Sequence, residues 1–331
     1  MEPDLPVNPS LIRLRALLRL VRAQNLLTAV ADSWAGLIVA AAGSTSTARW
    51  HEFGRLALVS AGMYAAGAVL NDLADLDIDR VAHPDRALPS GVVRPRTAFV
   101  LAVSLLVVAL VAAASLGMST MIVAATVGAI VVAYDFAAKK VRVAGAVTMA
   151  LARFGNFSLG LAAMGSAFPK LSGPGLALPL LVALHVFIVT LVSYFEDLRD
   201  SAGGSGEVAP GRMSGARRGL LGMRGGFLCL LLGCDAACIG LVRFALPTNF
   251  AATLALAMVL LFVGVAGIRL IAAMSASVPH RAAAGYVVAG VQAVAGIDAA
   301  IAAAFGGASV AVAMLVFFVV GILTSEALKG A

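Results

Sequence analysis

Two acidic clusters each close a long apolar stretch of the chain. The first reads Asn71-Asp72-Leu73-Ala74-Asp75-Leu76-Asp77-Ile78-Asp79, the second Tyr194-Phe195-Glu196-Asp197-Leu198-Arg199-Asp200. Carboxylates beside hydrocarbon are costly to desolvate, so their presence points to a function. On a helix, Asn71, Asp75 and Asp79 recur every four residues, and Asp72 joins their stripe three residues before Asp75. Such a cluster cannot stay fully ionised without counter-charge. A hard divalent cation supplies that charge: Mg²⁺ takes one or two carboxylates and completes its shell with waters and substrate phosphates. The pattern therefore suits two acidic patches, Asp72, Asp75 and Asp79 against Glu196, Asp197 and Asp200, gripping an anionic ligand through Mg²⁺. An EF-hand is excluded, because Arg80 stands where that loop needs Gly and Arg86 where it needs a bidentate Glu.

The elements that carry these residues are set by hydrophobicity. Of 331 residues, 61% are hydrophobic and 12% charged, and the mean hydropathy is +0.99. Soluble domains carry roughly 25% charged residues. The mix of Ala, Val, Leu and Gly lacks period-two alternation, so the fold class is all-α and polytopic in a membrane, not a β-barrel. Apolar runs predict spans at 17–42, 55–78, 97–117, 119–138, 144–165, 175–197, 218–242, 250–273, 282–305 and 308–328. This divides the chain into an N-terminal tail (1–16), a main bundle (17–305) and an additional C-terminal transmembrane helix (306–331). The breaks Leu116-Gly117 and Gly306-Gly307 predict tight hairpins. Residues 1–10 are acidic and Pro-containing, without the basic-then-apolar order of a signal peptide.

The net charge of +7 and pI of 9.8 do not indicate nucleic acid. The basic residues fall in loops between spans, where they fix orientation. With the N-terminus cytoplasmic, most Lys and Arg lie inside; Arg49, Arg55, Lys170 and Arg243 lie outside, and Arg153 lies within a span. Both acidic clusters and their loops then face the cytoplasm, and the high Ala and Arg content suits a bacterium, so the expected location is a bacterial plasma membrane. Loop 199–217, rich in Gly, is expected to act as a lid.

Polar residues inside spans need partners. An Arg153 facing lipid would cost about 2.5–3.5 kcal/mol or more, so Arg153, with Asn156 three residues on, faces a cavity or pairs with an acid. Asn25 and Asp32 share a face of the first span. Asp235 and Asp298 suit pairing between helices, and His185 suits a hydrogen-bonded core position. Cys229, Cys234 and Cys238 lack metal-ligand spacing and read as packing residues.

After the first cluster comes Arg86-Ala87-Leu88-Pro89-Ser90-Gly91. The run Asn-Asp-x-x-Asp-x-x-x-Asp followed by Arg-x-Leu-Pro-Ser-Gly resembles the first signature of the UbiA superfamily of intramembrane prenyltransferases. The segment Tyr134-Asp135-x-x-x-Lys139-Lys140 resembles a further family element, and Glu196-Asp197-Leu198-Arg199-Asp200 stands where the family has its second Asp-rich motif. The resemblance spans roughly 17–305 and implies nine transmembrane helices around a central cavity. The tenth helix is an addition to that bundle.

The implied chemistry is Mg²⁺-dependent transfer of a prenyl group from a prenyl diphosphate donor to a hydrophobic, often aromatic or lipid-like acceptor. In that reading Asp72, Asp75, Asp79, Glu196, Asp197 and Asp200 hold the metal and Asn71 orients them. Arg86, Lys139, Lys140 and Arg142 neutralise diphosphate. Tyr64, Tyr134 or Tyr194 stabilise an allylic cation, and Asn25, Arg153 and Asn156 contact substrate.

The second motif departs from the family's Asp-x-x-x-Asp: starting it at Asp200 puts Gly204 at its end, whereas Glu196 with Asp200 keeps two acids. The Gly-Gly that follows, and Ala29-Val30-Ala31-Asp32, resemble an EboC-like subgroup with a metabolite-handling role. An ion-coupled transporter is the reading from another class, but transporters place ionisable sites near the midplane rather than at helix ends. A CDP-alcohol phosphotransferase is excluded by the absence of its Asp-Gly-x-x-Ala-Arg pattern.

Overall fold

A computed structural model describes residues 9–42, 50–164, 173–193, 215–275 and 279–306, with short helical pieces between 312 and 323. The described residues form helices and connecting turns, with no strand. They are α1 (Pro9–Leu20), α2 (Ala23–Ala42), α3 (Trp50–Ala74), α4 (Leu76–Ala82), α5 (Pro95–Ala114), α6 (Met118–Phe136), α7 (Arg142–Ala163), α8 (Pro174–Ser193), α9 (Gly215–Ala245), α10 (Phe250–Ser275) and α11 (Pro279–Phe305). A 3₁₀ turn at Ala138–Lys140 links α6 to α7. Among the described residues nine helical stretches are long and apolar enough to cross a membrane. The chain is an integral membrane protein. Most of the expected tenth span, 308–328, lies outside the described residues.

Neighbouring contacts run α2–α3–α5–α6–α7–α8–α9–α10–α11 and back to α2, closing a ring. Helices α5, α6 and α10 turn most of their surface outward through residues such as Val111, Ile122 and Leu261. These faces need no polar partner in lipid. Helices α2 and α11 carry the buried interior, including Ala31, Ala35, Ile297 and Ile301. The α5–α6 hairpin turns at Gly117, whose φ of 131° suits glycine.

Two expected spans are broken in the structure. The first is interrupted at Val21 and Arg22, with Arg22 in the left-handed region at φ 49°. A non-glycine residue there costs about 1–3 kcal/mol, which surrounding contacts must offset. The Arg22 N–H bonds Arg19 O, the Asn25 N–H bonds Arg22 O, and the guanidinium reaches Asp72. The second expected span, 55–78, ends as α3 at Ala74; Asp75 is a turn and α4 begins at Leu76. The acidic run is therefore not one straight stripe, although the Asp75 N–H still bonds Asn71 O and the Asp79 N–H bonds Asp75 O.

Close approach fixes how α2 crosses α7. A Cβ at Gly160 would overlap Ser33 O, and one at Gly36 would overlap Phe157 O. Small residues permit this backbone contact, as in membrane bundles generally. Polar bonds follow. Asn156 Nδ2 donates to Ala29 O (2.8 Å) and Asp32 Oδ2 (2.9 Å), and Ser60 Oγ donates to Asn156 Oδ1 (2.8 Å). Arg153 Nη1 reaches Thr28 O (3.3 Å) and Asp32 Oδ2 (3.5 Å). Asp32 is fully buried, so Arg153 supplies the charge that its burial requires.

A second network ties α8, α9 and α11. His185 Nδ1 meets Asp235 Oδ1, His185 Nε2 donates to Gly290 O at 2.8 Å, and Tyr286 OH donates to Asp235 Oδ2. Both oxygens of Asp235 are thus bonded. Asp298, also expected to pair, is fully buried with neither oxygen hydrogen-bonded among the described residues. Cys229, Cys234 and Cys238 are free thiols on α9.

Gly160→Val should lower the apparent melting temperature in detergent by several degrees, because overpacking against fixed backbone costs about 1–3 kcal/mol or more. Gly240→Ala, where open space surrounds the Cβ position, should not. Arg153→Leu should destabilise by about 3–5 kcal/mol by stranding Asp32. The double variant Arg153→Leu/Asp32→Asn should recover much of that loss in the same thermal assay.

Candidate active site

One cavity of about 650 Å³ opens within the ring. Its walls are apolar, from Met63, Val127, Val131, Val189, Val291 and Val294. Its polar residues include Arg19, Arg22, Gln24 and Asn25 near the α1–α2 break, Tyr64 and Asn71 on α3, Tyr134 and Asp135 on α6, and Arg153 and Asn156 on α7. Of the residues singled out by sequence, Asn25, Tyr64, Asn71, Tyr134, Arg153 and Asn156 line this space. Arg153 and Asn156 do so while already bonded to α2.

The acidic run lies at the end of the cavity marked by Asn71, and Asp72, Asp75 and Asp79 each meet a cation from another part of the chain. Lys139 Nζ lies 2.7 Å from Asp75 Oδ1 and donates to Asn71 Oδ1 at 3.2 Å. Arg22 Nη2 lies 3.4 Å from Asp72 Oδ1. Arg86 Nη1 donates to both oxygens of Asp79, at 2.8 and 2.7 Å. Asp77 pairs with Arg80 on the exposed face.

The first signature's loop is compact. The Ser90 N–H bonds Arg86 O and the Val93 N–H bonds Ala87 O. Leu88 and Val93 are buried against Leu20, Val69 and Leu70. Leu88 thus anchors the turn that aims Arg86 at Asp79. Lys140 and Arg142 are exposed and do not line the cavity. Tyr194, Glu196, Asp197 and Asp200 lie outside the described residues, as do residues 199–214 of the expected lid; its last three residues open α9.

The structure adds residues that sequence reasoning did not single out for the site. In the sequence Arg19 and Arg22 are two of the many basic residues on the cytoplasmic side. Asp135 was quoted inside a motif without a role; its position four residues before Lys139 was the available signal. Asp135 is 2% exposed, and its Oδ2 has no hydrogen-bond partner among the described residues.

Mg²⁺ chemistry fits the donor set. Asn71, Asp72 and Asp75 offer hard oxygens beside the cavity, and Mg²⁺ needs only one or two carboxylates when substrate phosphates complete its shell. Among the described residues no group of three or more acids, His or Cys forms a self-sufficient metal cage.

Comparison with known proteins places the chain. Residues 33–282 match the UbiA prenyltransferase family. A digeranylgeranylglyceryl phosphate synthase from Halobacterium salinarum is 34% identical over 192 residues, 56% of this chain and 64% of the relative. Thus the chain aligns with under two thirds of that relative's length. A UbiA homologue from Aeropyrum pernix K1 superposes with a TM-score of 0.58 at 18% identity, covering 82% of this chain and 96% of that one. A UbiA homologue from Archaeoglobus fulgidus bound to GPP and Mg²⁺ superposes at 0.54 and 17% identity, covering 84% and 99%. The ring of apolar helices shares its fold with these UbiA homologues, and the chain is a member of the UbiA prenyltransferase family.

Proposed function

We propose that this protein transfers a prenyl group from a prenyl diphosphate to a lipid-like acceptor within the membrane, with Mg²⁺ as cofactor. The observation that carries the reading is the juxtaposition of an apolar-walled cavity with a run of carboxylates at its polar end. The donor has the same two-part character: an isoprenoid tail and a diphosphate. The homologue of similar fold bound to GPP and Mg²⁺ supports the assignment. The cavity residues Val127, Val131, Val189 and Val291 would house the tail and exclude water from the reacting carbon.

Asp72 and Asp75 would hold the metal, with Asn71 beside them; Asp79, Glu196, Asp197 and Asp200 complete the proposed set. Bound there, Mg²⁺ supplies charge that stabilises the departing diphosphate. Lys139 and Arg22, now paired with Asp75 and Asp72, stand where a phosphate would meet them and add positive charge to that end. Tyr64 and Tyr134 line the same space, where a ring face attracts an allylic cation.

The product for which the Halobacterium relative is named carries two geranylgeranyl groups on glyceryl phosphate. By chemistry, the second ether bond there joins a geranylgeranyl group to a free hydroxyl. The acceptor proposed here is of that class, a glyceryl phosphate lipid bearing a hydroxyl. The orientation proposed puts the acidic end at the cytoplasmic face of the plasma membrane, following the distribution of Lys and Arg.

The test uses the full chain in nanodiscs with labelled prenyl diphosphates of graded length and geranylgeranylglyceryl phosphate. Diphosphate release and lipid product should appear only with Mg²⁺, and Asp75→Ala should lower kcat about 10²–10³-fold. Metal-independent turnover, or unchanged turnover in Asp75→Ala, would contradict the assignment. Proton- or sodium-driven uptake lost in that variant would favour a transporter.

A further inference from the structure

Two buried hydrogen-bond acceptors line the cavity without donors. One is Asp135 Oδ2 on α6; the other is Gln24 Oε1, just past the α1–α2 break. Leaving such an atom unpaired costs about 1–3 kcal/mol, so each position favours a ligand that brings a donor. An isoprenoid tail has none to bring. A diphosphate is rich in acceptors and would be repelled by the carboxylate. A hydroxyl fits both atoms.

Asp135 also differs from the other buried acids. Asp235 is bonded on both oxygens by His185 and Tyr286; Asp32 is held through Oδ2 by Asn156 and Arg153, and although its Oδ1 is unbonded among the described residues it does not line the cavity. Asp298 is unbonded among the described residues but does not line the cavity. Asp135 alone among these four combines contact with the cavity and an unpaired oxygen. It also makes no ion pair among the described residues, although Lys139 lies one helical turn beyond it on the chain and is drawn instead to Asp75 and Asn71.

Resting on the prenyl-transfer reading above, we propose that Asp135 is a catalytic residue that binds the acceptor's hydroxyl and takes its proton, with Gln24 positioning the same head group. In the step, the C1–O bond of the prenyl diphosphate breaks and its electron pair leaves with the diphosphate. The acceptor oxygen forms the new C1–O bond, and its proton passes to Asp135 Oδ2. The products are an ether and diphosphate, and Asp135 returns its proton to water before the next cycle. The base is needed because a neutral alcohol is a weak nucleophile and its oxonium a strong acid. General base catalysis of this kind contributes typically about 10²–10⁴-fold.

The experiment measures donor binding, diphosphate release and ether formation separately, with geranylgeranyl diphosphate, Mg²⁺ and geranylgeranylglyceryl phosphate. In Asp135→Asn, the kcat for ether formation should fall about 10²–10⁴-fold. Donor affinity should stay within about threefold, and slow release of diphosphate to water should persist. Added formate should restore part of the transfer by Asp135→Ala, a recovery that a merely structural role would not show. Gln24→Leu should raise the KM for the acceptor more than it lowers kcat.

Unchanged ether formation in Asp135→Asn would overturn the proposal. So would loss of donor binding together with diphosphate release in that variant, which would assign Asp135 to the donor's machinery while leaving the prenyl-transfer reading intact. A wild-type protein that releases no diphosphate from any donor would overturn that broader reading, and this one with it.

Discussion

Charge at the end of an apolar bundle must be met by opposite charge, and the site is organised around that requirement. Asp72, Asp75 and Asp79 each sit against one cation, and the three cations come from three separate places: the α1–α2 break, the turn after α6, and the loop before α5. These pairings draw distant parts of the chain to one end of the cavity. They also account for the left-handed backbone at Arg22: the break costs energy, and it lets a guanidinium turn toward Asp72 and the cavity rather than continue along a helix.

The same rule operates deeper in the bundle with a different outcome. Asp32 is met by Arg153 and Asn156, residues of α7 brought close by Gly36 and Gly160. That network spends its polar groups on holding two helices together. At the acidic end, the cations are partly exposed and within reach of a ligand. Between the two, the cavity has valine walls, so a molecule with an apolar tail and an anionic head matches it end to end. Removing one ion of a buried pair is costly, whereas exchanging partners near water is not. This separates the structural network from the one suited to binding.

Much of the architecture was legible in the sequence because it follows from hydrophobic runs alone. Nine of the expected spans, the hairpin at Gly117 and the acidic end of the second span needed no tertiary information. The α1–α2 break was not legible, since neither Gly nor Pro marks Val21 and Arg22, and the apolar run passes through them. The end of α3 was hidden for the opposite reason: Leu73, Leu76 and Ile78 continue a helical pattern past a turn held by Asp75. The role of Arg153 stayed open because its partner lies 121 residues earlier in the chain, and only the α2–α7 crossing brings them together. The pairing of Arg86 with Asp79 was not legible either, because it depends on how the loop anchored by Leu88 folds back. Asp135 was overlooked because a single acid at a helix end carries little information until the cavity beside it is known.

The central claim is that the carboxylates beside the cavity engage a metal together with the ligand's phosphates, not alone. Mn²⁺ binding, followed by electron paramagnetic resonance in nanodiscs with and without a non-reactive thio analogue of geranylgeranyl diphosphate, tests it most directly. The account predicts tight Mn²⁺ binding only when the analogue is present, lost in Asp75→Ala and retained in Lys140→Ala. Analogue binding that needs neither metal nor Asp75 would contradict it.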